Sequence, residues 1–236
     1  MEVIEIRVGD KSYERLEELY NEILLKAFPD GDELESLDNI RFYLNNAEKL
    51  RAIKCNYHIL ACIIGDKIVG GLIGDYYASC NSCLIEYIAT DYNYRGMGVS
   101  KKMLEYFYSL QKKNAINNGK REIDYIFVEC ENPSKFNDNV NMIKRIQYWN
   151  HLKYYKLDFK YIQAALDKEK QSIDFLNLFC YVNNRSLGNE VSRENIFKFL
   201  HDFQKYSLGI KNPSNHKDFI KMLEENTEKK FKILPQ

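Results

Sequence analysis

An arginine and two glycines, Arg95, Gly96 and Gly98, stand between a strand-like run ending at Thr90 and a helix-like run opening at Gly98. Met97, Val99, Ser100 and Lys101 complete the loop, and Lys102 follows it. Glycines at such a joint let the backbone turn sharply and let a ligand approach the main chain. A helix that starts there aims unpaired N–H groups and the positive end of its dipole at whatever lies in front. Phosphate binding is the chemistry this favours. Two phosphate motifs are excluded. Gly98-Val99-Ser100-Lys101 has the wrong order for a Walker loop. A dinucleotide fingerprint would need a third glycine where Lys101 stands, and a βαβ unit where the sequence reads as a hairpin meander.

Three carboxylates have the placement for acid–base work. Glu86 lies two residues before Ile88 on the strand that feeds the loop, so the two share a face. Glu129 and Glu131 end a later apolar strand and also share one face. Burial or mutual repulsion would lift one of their pKa values and make a base of it. The competing reading is that they bind a cationic amine, pair with Arg or Lys, or cap backbone. His58, His151, His201 and His216 are scattered and have no metal-like spacing. Cys80-Asn81-Ser82-Cys83 has half a zinc spacing, but no second pair completes it, so no metal is expected and the six cysteines read as free thiols. The basic run Lys112 to Arg121 ends a helix and reads as solvated charge complementing its dipole.

The elements that must position these groups follow from periodicity. Val3 to Val8 reads as a strand, and Tyr13 to Ala27 as an amphipathic helix stopped at Pro29-Asp30-Gly31-Asp32. A second helix is expected from Leu34 to Ala47. Tyr57 to Ile64 and Lys67 to Tyr77 should be strands joined at Gly65-Asp66, with Ser82 to Thr90 a third. The helix opened by the loop runs to about Asn114, and Ile123 to Cys130 is a short buried strand. Asn139 to Leu152 reads as a helix. Lys156 to Gln163 and Ser172 to Val182 read as a closing antiparallel pair, and Ser192 to Tyr206 and Asn215 to Lys229 as two further helices. This is an α+β order with one strand–helix–strand crossover around the loop.

Composition bounds the rest. Lys and Arg total 34 against 34 Asp and Glu, so nothing draws the chain in bulk to nucleic acid or to an anionic membrane. No run approaches the roughly 18 apolar residues a membrane span needs, and the opening residues do not resemble a signal peptide. The expectation is a soluble, cytoplasmic protein, a monomer or a homodimer, with no nucleic-acid or membrane partner.

Taken together, these residues resemble the GNAT superfamily of acyl-CoA N-acyltransferases. Its loop, Arg/Gln-x-x-Gly-x-Gly/Ala, maps onto Arg95 to Ser100, with Ser100 in place of glycine or alanine. Leu84-Ile85-Glu86-Tyr87-Ile88-Ala89-Thr90, Glu129-Cys130-Glu131-Asn132-Pro133, Arg145 to Tyr154 and Tyr161 to Leu166 are similar, in order, to segments of one bacterial branch. The resemblance implies a GNAT fold, a mixed, mostly antiparallel sheet flanked by helices, over 1–183. A C-terminal helical extension, 184–236, would pack on the same domain. It implies acetyl-CoA as co-substrate, its pyrophosphate on Arg95, Gly96, Met97, Gly98, Val99, Ser100 and Lys101. Its pantetheine arm would lie along Ile88, Ala89 and Thr90, an N–H near Ala89 polarising the thioester carbonyl. The activity implied is acetyl transfer to a primary amine of a small molecule. The alternatives are a protein or peptide amine, or an acyl-CoA-binding module without chemistry. The catalytic candidates are Glu86, Glu129 and Glu131 for the ammonium proton, and Tyr148 for the leaving thiolate. Trp149 stands where the family often keeps a tyrosine, and Lys153 replaces a glycine.

Overall fold

The computed structural model describes residues 1–29, 31–137 and 139–234. Asp30, part of the expected helix stop, and the last two residues of the C-terminal extension lie outside the described residues. The chain forms two units: Met1–Tyr76 with Ile85–Arg121, and Tyr77–Leu84 with the chain from Glu122 onward. The architecture is α+β, mostly antiparallel strands flanked by helices. No helix among the described residues is long and apolar enough to cross a membrane.

In the first unit β1 (Glu2–Glu5) pairs antiparallel with β2 (Cys55–Ile64), Val3 opposite Cys62. The strand ends before the expected Val8 because Asp10 caps a 3-10 turn, accepting from the Ser12 N–H at 2.9 Å. The amphipathic run that follows is helical but not uniform. It passes through α1 (Leu16–Leu19), a π-helical turn (Tyr20–Leu24) and α2 (Leu25–Ala27). Leu16, Leu19, Ile23 and Leu24 are buried, as their spacing requires.

Ser36 caps α3 (Leu37–Asn45), accepting from the Asn39 N–H at 3.2 Å, which sets its start three residues after the expected Leu34. A separate helix, α4 (Ala47–Ala52), follows where none was expected beyond Ala47. The hairpin at Gly65 (φ 60°) joins β2 to β3 (Lys67–Tyr77). β4 (Ser82–Thr90) leads through the loop into α5 (Val99–Asn117). Leu19, Leu24, Ile40, Ile59 and Ala61 are fully buried in one cluster, each large side chain contributing roughly 1.5–3 kcal/mol.

A buried polar chain ties α5 to the strands. His58 donates from Nδ1 to the Glu5 carboxylate at 2.6 Å, and its Nε2 accepts from Asn114 Nδ2 at 2.9 Å. Asn114 also accepts from Asn56 at 3.1 Å. Burial would raise the Glu5 pKa, but the His58 and Arg7 contacts outweigh it and hold the carboxyl below its ordinary value.

In the second unit β5 (Tyr125–Glu131) pairs antiparallel with β7 (Leu176–Val182), Glu129 opposite Leu178. Between them in sequence lie α6 (Val140–His151) and β6 (Tyr155–Leu157). The expected strand Lys156 to Gln163 breaks early, because the Phe159 N–H folds back onto the Leu157 carbonyl at 2.8 Å. The chain returns to pairing only at the single bridge Gln163–Ile173.

Beyond Asn183 the expected all-helical extension is corrected. α7 (Arg193–Asp202) and α8 (Lys217–Glu225) are joined by two strands, β8 (Glu190–Ser192) and β9 (Lys230–Leu234). β9 pairs with β6, Leu157 opposite Ile233, and with β8, so that the order is β5-β7-β6-β9-β8. Phe231 and Ile233 are buried while Lys230 and Lys232 are exposed, the period-two pattern of a half-covered strand.

Candidate active site

The loop between β4 and α5 is pinned at its start. The Asp91 N–H donates to the Val69 carbonyl at 2.9 Å, and Lys67 Nζ meets the Asp91 carboxylate at 2.8 Å. The Lys67 contact, with the Asn93 N–H on the same carboxylate, holds Asp91 below the usual carboxylate range. The chain then turns through Tyr92–Tyr94, and the Arg95 guanidinium lies over the Tyr92 ring, 5.3 Å from its centre.

Gly96 (φ 80°) and Gly98 (φ 81°) both adopt the left-handed conformation that other residues enter at a cost. A Cβ at either would meet no atom within 4 Å, so the space in front of this backbone is open. Gly98 is the N-cap of α5, and no side chain caps that terminus. The N–H groups of Gly98, Val99, Ser100 and Lys101 therefore have no intrahelical acceptor. With the exposed Arg95 and Lys101, they make a cationic helix entry of the kind that favours anions. Lys102 is turned elsewhere, donating to the Met1 carbonyl. Val99 itself is buried and Met97 exposed.

Helix and strand meet closely behind the loop. A Cβ on Gly70 would stand 2.6 Å from Val99 Cγ1 and 3.1 Å from the Ala89 carbonyl oxygen. β3 thus passes against both the last residues of β4 and the first turn of α5. Ala89 is buried, and Ile88 and Thr90 are half-buried.

The three carboxylates have different surroundings. Glu86 is half-buried on β4, between buried Ile85 and Tyr87. Its charge reaches Tyr57 and Tyr43, as do those of Glu35 and Asp75. Burial first, then these carboxylates, push both phenols up. Glu35, Asp75 and Tyr57 had no signal in the sequence, being 18 to 40 residues apart in the chain.

Glu129 lies in the second unit and is cradled. The Tyr161 hydroxyl donates to its Oε1, and Gln163 Nε2 donates to its Oε2 at 3.3 Å. Burial raises its pKa to about 7, the Tyr161 hydrogen bond opposing the rise. Glu131, two residues on, is instead clamped by Arg145 through Nε at 3.0 Å and through Nη2. Cys130 between them is buried, and desolvation pushes its thiol well up. Tyr161 and Gln163 were visible in the sequence as a resemblance only. Their two-residue spacing is the signal that both could reach one group.

Tyr148 is exposed on α6 and touches Trp149 edge-on, ring centres 5.3 Å apart. Trp149 is buried against Tyr154 at 4.9 Å, a core residue. Lys153, where the resembled segment has glycine, has φ 66°, so the left-handed backbone is kept without the glycine. All six cysteines are buried, and none is in a disulfide among the described residues. Among the described residues no three His, Cys, Asp or Glu side chains converge to hold a metal ion.

A strand feeding a left-handed glycine pair and an uncapped helix, within mostly antiparallel strands flanked by helices, defines the GNAT acetyltransferase fold. No protein-family profile matches the chain, and no curated protein matches it in sequence. Among solved structures the chain is similar to a candidate acetyltransferase of the GNAT family from Bacteroides thetaiotaomicron. That match has a TM-score of 0.60 at 19% identity, covering 89% of this chain and 100% of that one. It is also similar to the ribosomal-protein-alanine N-acetyltransferase of Brucella melitensis, with a TM-score of 0.51 at 12% identity, covering 77% and 99%. At such identities the likeness establishes the fold.

Proposed function

We propose that this chain transfers an acetyl group from acetyl-CoA to a primary amine of a small molecule by direct attack. The observation that carries this reading is the entry to α5. Open space, two left-handed glycines, four N–H groups without intrahelical acceptors and Arg95 are arranged together there. That set fits the pyrophosphate of coenzyme A, with Arg95 and Lys101 as charge partners. Ile88, Ala89 and Thr90 supply the strand segment for the pantetheine amides.

In the reaction the amine nitrogen bonds to the acyl carbon, the carbon–sulfur bond breaks and the thiolate leaves. An amine is protonated at neutral pH, so one proton must first be taken from it. Glu86, on the strand that feeds the loop, is the carboxylate proposed to take it; Glu129 lies in the second unit, where burial raises its pKa to about 7. Glu131 is committed to Arg145 and acts as a positioning residue for the end of β5. A thiolate is a tolerable leaving group; Tyr148, the donor candidate, is exposed on α6 in the second unit.

Calorimetric titration with acetyl-CoA, with CoA and ATP as controls, tests the loop. Saturable binding of acetyl-CoA and CoA but not ATP is expected. Release of free thiol is then followed with small amines and with peptides in parallel. Turnover confined to peptides would replace the small-molecule acceptor with a protein one. Binding with no acceptor at all would leave an acyl-CoA-binding module.

A further inference from the structure

Within the second unit, a pocket of about 410 Å³ opens where β6 begins. Tyr155, Tyr181, Val182 and Ile233 line it, together with Lys153 and Arg185. The register of the strands explains the opening. The Asn183 N–H donates to the Asp124 carbonyl at 3.0 Å, so odd-numbered residues of β7 bond to β5 and even-numbered ones face β6. Cys180 meets Tyr155 there. Val182, two residues on, would need Lys153, but the Lys153 N–H is turned back to the Asn150 carbonyl at 2.9 Å. Val182 therefore directs its N–H and C=O into a gap in the ladder.

The chain leaving β7 supplies another wall. The strand order is β7-β6-β9-β8, so residues 183–189 cross the start of β6 and the end of β9 to reach β8. The Ile233 N–H fixes that crossing, donating to the Asn189 carbonyl at 3.0 Å.

Charge is the second observation. Lys153 and Arg185 are exposed, and neither makes an ion pair or a side-chain hydrogen bond among the described residues. Acids on the adjoining chain are committed elsewhere. Glu190 pairs with Lys230 at 3.2 Å, and Asp124 accepts from Asn184 Nδ2 at 2.9 Å. Lys153 also holds φ 66°, the left-handed backbone that glycine takes without strain. A lysine there keeps its charge in place against its own backbone preference. The rest of the lining is less polar, with Tyr155 and Tyr181 half-buried and Ile233 buried.

We propose that this pocket binds a small aromatic anion, a single ring carrying a carboxylate or phosphate. The Arg185 guanidinium and the Lys153 ammonium are the counter-charges, arginine being suited to take two oxygens at once. The ring packs against the tyrosines and Ile233. The volume lies at the lower end for small-molecule sites and suits one ring with a short side chain. Recognition here uses neither the glycine loop nor Glu86, so it is independent of the acetyl-transfer reading.

Phenylacetate and phenyl phosphate are titrated into the full chain by calorimetry, with phenylethanol, phenethylamine and inorganic phosphate as controls. Amide chemical shifts of labelled protein locate the contact. At least one aromatic anion should bind about tenfold more tightly than any control, an advantage that shrinks with added salt. The Val182, Gly188 and Asn189 amides should shift on binding. Lys153→Gly removes the charge and relieves the backbone. It should weaken binding at least about fivefold while the melting temperature stays equal or rises, a split that a purely structural lysine would not give. Arg185→Gln should weaken binding by a similar factor.

Phenylethanol or inorganic phosphate binding as tightly as the aromatic anions overturns the proposal. So does an affinity that survives both Lys153→Gly and Arg185→Gln. Amide shifts confined to the first unit, or no saturable binding at millimolar ligand, overturn it as well.

Discussion

The Tyr161 hydroxyl donates a hydrogen bond to Glu129, joining the irregular chain after β6 to the last turn of ladder in β5. Gln163 closes the same carboxylate from its other oxygen at 3.3 Å. Burial works against the charge on Glu129 and the phenol works for it, with burial prevailing. A carboxylate so held is half-charged near neutrality. That is useful for moving a proton, and it costs the folded state something at higher pH.

The cost has a definite sign. Glu129 has a folded pKa of about 7 against an ordinary value of 4.5. Below 4.5 both states bind the proton and no penalty exists. As pH rises from there through 7, the folded state retains a proton that the unfolded state releases, so stability falls. The loss amounts to roughly 3 kcal/mol once pH exceeds the folded value. Glu129→Gln should abolish this part of the pH dependence, making the variant more stable than the parent at pH about 8 and no more stable at pH about 4. Urea unfolding at the two pH values measures it. A parent and variant that keep the same stability difference at both would refute the assignment.

Tyr161→Phe keeps the ring in the core and removes the donor. The hydrogen bond favours the charged form of Glu129, so its loss should raise the Glu129 pKa by about one pH unit. A carbon-detected carboxyl titration of labelled protein should move up accordingly. An unmoved Glu129 titration with an intact fold would refute the hydrogen bond's role. Tyr161 itself stays protonated throughout, since burial pushes its phenol far up.

How legible this was varied with the physics of each element. β3 and β4 fell at the expected residues, because hydrophobic runs bounded by Gly65-Asp66 and by the glycine loop leave little freedom of register. The loop was legible for the same reason, since only glycine takes φ near 80° cheaply. β9 carried its signal too, alternating Lys230, Phe231, Lys232 and Ile233, but a preceding helical pattern masked it. The early end of β6 and the separate α4 depended on local hydrogen bonds at Phe159 and Asn46 that periodicity does not encode. The acidic groups around Tyr57 come from segments brought together only by folding. No spacing rule could have joined Glu35 to Asp75. Glu129 and Glu131 looked equivalent in sequence, and Arg145 and Tyr161, both distant, made them different.

Gly98 separates backbone conformation from space. A Cβ there would touch nothing, so replacement costs only the left-handed strain, about 1–2 kcal/mol for alanine and more for a β-branched residue. Gly98→Val should lower the melting temperature by several degrees for that reason. It should also place a side chain in the open space before the α5 N–H groups and weaken acetyl-CoA binding by more than about tenfold. Asparagine tolerates φ > 0 better, so Gly98→Asn should recover much of the stability and little of the affinity. Calorimetry on both variants reads out the split. Affinity that tracked stability alone would mean the loop is only a turn.

Gly70 and Gly71 are adjacent, and each is a close approach of β3 to a different neighbour. A Cβ on Gly70 would fall 2.6 Å from Val99 Cγ1 and 3.1 Å from Met103 Cε, at the first turn of α5. A Cβ on Gly71 would fall 2.5 Å from Leu19 Cδ1, on the other face. Both Gly→Ala changes overpack a core and should destabilise by about 1–3 kcal/mol. Only Gly70→Ala pushes on the helix whose N-terminus forms the cationic entry. It should therefore weaken acetyl-CoA binding measurably, whereas Gly71→Ala, with similar loss of stability, should leave that affinity within about twofold. Thermal unfolding and acetyl-CoA titration of the two variants side by side make the comparison. Equal effects on affinity would mean that the position of α5 does not set the site, and the anion site would have to be sought elsewhere in the loop.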